Sequence, residues 1–172
     1  MVKAELEREF LDFVAYRGTA MFRTAYALTG DRHAAEDLIQ TALAKTALRW
    51  SGVHTSPEAY VRRVMYHECV SSWRRKRFAE TPLPAVLNDH ATPDHSDRTL
   101  IRMSLQTALR LLAPKQRAVV VLRFLEDLSE RQVADIIGCS ESTVGSQTSR
   151  ALARLRELAP ELRELFHQEA KI

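Results

Sequence analysis

The strongest constraint on the fold lies in "SERQVADIIGCSESTVGSQTSRALARLRE", residues 129–157, which reads as two helices joined by a tight turn. Ser129, with Gln132 three residues on, makes a capping box, so a helix is expected to start there. Gly138 is suited to end that helix, and Ser140 to cap a second one. On a wheel of ~100° per residue, Val144, Thr148, Ala151, Leu152 and Leu155 of the second helix share a side. They match Val133, Ile136 and Ile137 of the first, and the small Ala134 allows a close crossing. The opposite side holds Ser142, Ser146, Ser149, Arg150 and Ala153, flanked by Thr143 and Gln147. Short hydroxyl side chains let a helix approach a groove floor, and Arg and Gln supply base-edge or phosphate hydrogen bonds. The pair is expected to be a helix-turn-helix, although an ordinary helical hairpin fits the same pattern.

The rest of the chain repeats the helical period. Glycine and proline are scarce among the 172 residues, and Ala, Leu, Arg and Glu are abundant, a helix-forming composition. One stripe runs through Phe10, Phe13 and Val14 and another through Met21, Phe22, Ala25 and Leu28, with Gly18 and Gly30 as punctuation. Asp31 is a candidate cap for "RHAAEDLIQTALAKTALRW". "SGVHTS" breaks the period, and Pro57 opens a further helix, where its missing N–H costs nothing. Residues 79–99, with three prolines and no period, read as a linker. From Leu100 the helices resume, with Pro114 starting "PKQRAVVVLRFLEDL". The expectation is an all-α chain of two small helical domains, residues 1–78 and 100–172, joined by a flexible linker at 79–99.

Two more helical faces suggest binding. After Pro57, Val61, Val64 and Met65 point one way, while Tyr60, Arg63, His67, Ser71 and Arg74 line the other. The helix ends in Arg74, Arg75, Lys76 and Arg77 beside Trp73. Cations that follow a backbone and rings that stack on unpaired bases suit single-stranded nucleic acid. The basic end alone equally suits a helix dipole. In the helix after Asp31, Ala35, Leu38, Ile39 and Ala42 form the apolar side, with Trp50 beyond it. Asp37, Gln40, Thr41, Ala44 and Leu48 form the other, where alanine and leucine among polar residues suggest a partner surface or a partly buried bundle helix.

Charge and cysteine usage narrow the class. The net charge of +3 is too weak to establish nucleic-acid binding, but two mildly basic ends flank an acidic middle. Cys69 and Cys139 sit in apolar helical contexts and read as packed thiols. A zinc site from His54, His67 and Cys69 lacks a recognised spacing. No nucleophile–base pair is visible, so no catalytic residue, metal or cofactor is expected. The charged N-terminus and the lack of a long apolar run point to a soluble, cytoplasmic protein without membrane insertion. An autonomous dimeric helix-turn-helix regulator and a protein-binding adaptor remain open on these grounds.

Three blocks taken in order bring in a family. "ALTGDRHAAEDLIQTALAKTALRW", "PEAYVRRVMYHECVSSWRRKR" and "QRAVVVLRFLEDLSERQVADIIGCSESTVGSQTSRALARLRE" together resemble the extracytoplasmic-function class of bacterial RNA polymerase sigma factors, in its actinobacterial sigma-E-like branch. The resemblance implies a region 2 bundle and a region 4 helix-turn-helix, with core RNA polymerase and promoter DNA as partners. Asp37, Gln40, Thr41, Ala44 and Leu48 would meet the polymerase clamp. Tyr60, Arg63, His67, Ser71, Arg74, Arg75 and Arg77 would take the −10 element. Ser142, Thr143, Ser146, Gln147 and Arg150 would read the −35 element. An anti-sigma factor is a further partner common in the family. The chain departs from the family pattern at Gly145 and Gln147, where basic residues are frequent, and at His67 and Ser71, where Asn and Asp are frequent.

Overall fold

The computed structural model describes residues 2–53, 56–78 and 97–160. Among the described residues, seven α-helices run in chain order: α1 (Val2–Thr29), α2 (Arg32–Ala47), α3 (Pro57–Phe78), α4 (Asp97–Leu111), α5 (Pro114–Val120), α6 (Glu130–Ile137) and α7 (Glu141–Leu158). No strand occurs among the described residues, in keeping with the all-α expectation.

Local chemistry explains most boundaries. The Asp31 carboxylate accepts from the Ala34 N–H at 2.8 Å and caps α2. Pro57 opens α3 and Pro114 opens α5, as expected of a residue with a fixed φ and no donor. Gly30 ends α1 at φ +73°, and its N–H donates to the Tyr26 carbonyl at 2.7 Å. Gly18 interrupts nothing: α1 runs through it as one helix of 28 residues, so the expected punctuation there is corrected. Glycine inside a helix costs only about 1 kcal/mol, which the packing on either side outweighs. α4 starts at Asp97, inside the expected linker, which is corrected at that end. The rest of that linker, residues 79–96, and the amphipathic tail from 161 onward lie outside the described residues.

Helix α5 passes into a wider turn at Val121–Leu125, in which the Glu126 N–H reaches back to the Val121 carbonyl at 3.1 Å. Such a turn inserts one residue and shifts the phase of the downstream residues by roughly 100°. Asp127 then takes φ +50°, a left-handed conformation that Asp tolerates better than most residues.

The two halves pack on each other. One apolar cluster joins Leu28, Val61, Met65 and Tyr66 of the first half to Ala118, Leu122, Val133 and Val144 of the second. A smaller cluster, including Leu109, Leu112, Val120, Ala151 and Leu155, belongs to the second half alone. Arg117 crosses between the halves and is 8% exposed. Its Nη1 donates to the Leu28 carbonyl at 3.0 Å, and its Nη2 donates to the carbonyls of Arg110 at 2.9 Å and Leu112 at 3.4 Å. Burial holds its guanidinium below the ordinary arginine value; the nearby Cys69 thiol offsets this in part, and the neighbouring Arg110 adds to it.

Candidate nucleic-acid interface

The pair α6 and α7 is built as its sequence demands. Ser129 accepts from the Gln132 N–H at 3.2 Å while the Gln132 side chain accepts from the Ser129 N–H at 2.8 Å, the reciprocal bonds of a capping box. Gly138 ends α6 in the left-handed region at φ +76°. The Ser140 hydroxyl accepts from the Thr143 N–H at 3.2 Å and starts α7. Val144, Thr148, Ala151 and Leu155 are buried, with Leu152 partly so. Ser142, Thr143, Ser146, Ser149 and Arg150 stand exposed, and Gln147 is half-buried. Every expected reader on α7 therefore has access to solvent, and all of them share one helix.

Gly145 has a different setting. A Cβ there would lie 3.4 Å from Glu130 Oε1 and 3.5 Å from Oε2, so this position adjoins the acidic start of α6. In Gly145→Lys, the new ammonium has a carboxylate partner within the protein. The expected result is a gain in stability of about 1 kcal/mol from helix propensity with less than about twofold change in duplex affinity. Thermal unfolding and a fluorescence titration check this, and a large affinity gain would show that the lysine reaches phosphate instead.

On α3 the expected division holds. Val61 and Met65 are each 1% exposed, while Arg63, His67 and Arg74 face solvent and Tyr60 and Ser71 are half-buried. Arg75 is exposed; it also lines a cleft of about 350 Å³ between α2 and α3, together with Asp37, Thr41, Glu68 and Trp73. The structure thus brings one expected −10 residue beside two expected polymerase residues. The side chain of Arg77 and the residues His54 and Thr55 of the preceding loop lie outside the described residues. The candidate zinc ligand His54 falls there too, and among the described residues no group of three metal-ligating side chains forms.

On α2, Asp37, Gln40, Ala44 and Leu48 are exposed and Thr41 is half-buried. Leu48, the residue that caps the C-terminus of α2, is 87% exposed, unusual for a leucine in a helical bundle. Phe10 and Phe13 instead cover Trp50, at ring-centroid distances of 5.1 and 5.3 Å. The expected surface is therefore available for a partner, and its apolar side is filled from within.

Sequence periodicity missed Tyr66. It is 4% exposed and lies on the boundary between the two halves. Burial pushes its phenol above the ordinary tyrosine value, and the nearby thiols of Cys139 and Cys69 add to this. Cys69 is buried and Cys139 partly so, as packed thiols should be. Tyr66 sits next to Met65 on the buried arc of α3, a signal available only if a second packing surface is anticipated. Arg63 carries a further surprise: its Nη2 donates to the Asp135 carbonyl of α6 at 3.2 Å.

Comparison with known proteins agrees with this layout. Residues 13–79 match the family model for Sigma-70 region 2, and residues 102–155 match that for Sigma-70, region 4. Proteins named RNA polymerase sigma-E factor from Streptomyces coelicolor and Streptomyces avermitilis are each 44% identical over 154 residues, spanning 87% of this chain and 85% and 84% of theirs. In fold, the chain is similar to the sigma factor RpoE solved with the anti-sigma factor NepR from Bartonella quintana, at a TM-score of 0.67, 23% identity and coverage of 88% of this chain and 96% of that one. It is also similar to CnrH solved with the cytosolic domain of CnrY, at a TM-score of 0.62, 19% identity and 88% coverage of both chains.

Proposed function

Since this chain belongs to the sigma-70 family, in its extracytoplasmic-function class, it is an RNA polymerase sigma factor for promoter-specific initiation, and we propose how its parts divide that work. Residues 1–78 act as region 2, residues 79–99 as the linker and residues 100–172 as region 4. The α2 surface of Asp37, Gln40, Thr41, Ala44 and Leu48 docks on core polymerase. An exposed leucine among short polar residues supports that reading, since desolvating it stabilises a complex.

On α3, Tyr60, Arg63, His67, Ser71, Arg74, Arg75 and Arg77 hold the melted −10 element. A ring and several cations at helical spacing favour an unpaired strand over a duplex, and so favour opening. On α7, Ser142, Thr143, Ser146, Gln147 and Arg150 read the −35 duplex. With one arginine among small hydroxyls this reader is weak alone, and tethering on the polymerase raises its effective concentration. The nucleotide chemistry belongs to the polymerase, and the chain itself acts without catalysis. Cytoplasmic work beside that enzyme is the natural consequence. An anti-sigma protein is the regulator we infer, because one solved neighbour, RpoE, is in complex with the anti-sigma factor NepR.

The observation that carries the proposal is the ordered pair of matched segments, each presenting an exposed polar helix face. Run-off transcription with purified core polymerase and a promoter library tests it. Promoter-specific transcripts are expected only when the chain is added. Tight specific duplex binding with no requirement for polymerase would instead support an autonomous regulator.

A further inference from the structure

Glu130 and Gly145 meet where α6 passes α7, at the edge of the proposed −35 reader. Glu130 is the first residue of α6, and its carboxylate lies over Gly145: a Cβ there would sit 3.4 Å from Oε1 and 3.5 Å from Oε2. A longer side chain at 145 would compete for the space the carboxylate occupies, so glycine is what lets Glu130 approach α7. On a helix of ~100° per residue, Gly145 stands within about 60° of Ser142 and Ser149. Both serines are exposed and Glu130 is half-buried, so its carboxylate borders the reading face and keeps access to solvent. Among the described residues no ion pair engages it.

The neighbouring hydroxyls have committed their protons. Ser146 Oγ donates to the Thr143 carbonyl at 3.0 Å, and Ser149 Oγ to the Gly145 carbonyl at 3.1 Å. A hydroxyl has one proton, so each then offers only lone pairs outward. An ionised carboxylate is likewise acceptor-only. The donors, Arg150 and Gln147, lie on the far side of Ser146 from Gly145. The face is thus divided across its width, with acceptors toward α6 and donors away from it. In the major groove only the amino groups of cytosine and adenine donate. Adenine sets its N7 acceptor beside that amino group, and guanine and thymine present acceptors to the same place. Cytosine is the base with a donor and no acceptor of its own on that edge.

We propose that Glu130 is a specificity-determining residue of the reader, accepting from the N4 amino group of a cytosine in the −35 duplex across the gap that Gly145 leaves. The inference rests on the sigma-factor reading and adds to it a residue from outside α7, together with the base it selects. The same carboxylate repels phosphate, so it raises selectivity while lowering overall affinity. Glu130 also complements the dipole of α6, and that role alone would leave base preference untouched.

The test is run-off transcription by holoenzyme, core polymerase with the full chain, from promoters randomised over the −35 element, read by sequencing. Wild type is expected to favour cytosine at one position by about fivefold or more. Glu130→Ala is expected to bring that preference below about twofold while the other positions keep theirs. Glu130→Gln is expected to move it to adenine, because an amide accepts from N6 and donates to N7. The glutamine variant keeps the shape of the side chain, so it carries the comparison should Glu130→Ala lose its helical circular dichroism. Base preferences that neither variant alters overturn the inference. So does a uniform gain on every sequence with a steeper salt dependence, which would mean that the carboxylate only repels phosphate. If wild-type holoenzyme enriches no sequence at all, the sigma-factor reading fails and this inference falls with it.

Discussion

Replacing Arg117 with alanine is expected to lower the stability of the free chain by about 3 kcal/mol. The guanidinium satisfies carbonyls at the ends of two helices, Leu28 near the end of α1 and Arg110 and Leu112 at the end of α4. Those groups have no intrahelical donor, and a cation there also complements both dipoles. Alanine leaves three carbonyls short of a partner and opens a cavity between the halves. For a chain of this length the loss corresponds to a fall in melting temperature of roughly 6–12 °C. Arg117→Lys should fall between the two, because an ammonium lacks the planar fork that reaches both helix ends. Thermal denaturation checks the series. A shift under about 2 °C for alanine would mean that water replaces the guanidinium without cost.

The second large effect concerns initiation. Arg63→Ala combined with Arg74→Ala is expected to slow promoter opening by about tenfold to a hundredfold, while affinity for core polymerase changes less than about threefold. Both side chains are exposed on α3, on a different helix from the α2 surface proposed for the polymerase. Each cation that tracks a single strand contributes about 0.7 to the salt dependence. The slope of log affinity against log salt for a −10 oligonucleotide should therefore drop by about 1.4. Permanganate footprinting and a salt titration read the two quantities. Equal loss of opening and polymerase binding would contradict the assignment of this face. Arg63 gives the experiment a second use: its loss also removes the bond to the Asp135 carbonyl, so the free chain should loosen as opening fails.

The two experiments probe opposite ends of the same problem. Some of the bonds that stabilise the chain run between its halves, and others lie within one of them. Arg117 contributes on both counts: its bonds to Arg110 and Leu112 lie within the second half, and that to Leu28 crosses to the first. Glu126 differs, since both of its partners lie in the first half.

Caps and periodicity make the helices legible in the sequence alone. Asp31, Pro57, Ser129, Gly138 and Ser140 act through atoms a few residues away, so their effects are encoded locally. The exposed stripe of α7 is legible for the same reason, because one buried arc of Val144, Thr148, Ala151 and Leu155 dictates what remains outside. Gly18 misleads because propensity is weak beside packing, and Asp97 because the onset of a helix competes with the prolines before it. Tertiary structure alone decided that Arg117 reaches Leu28 across 89 residues, that Arg63 rests on α6 and that Glu126 closes on Arg62. Such contacts depend on the relative placement of two separately folded surfaces, and no spacing along the chain specifies it. Local chemistry determined what each helix offers; the packing of the halves decided which of those offers are withheld.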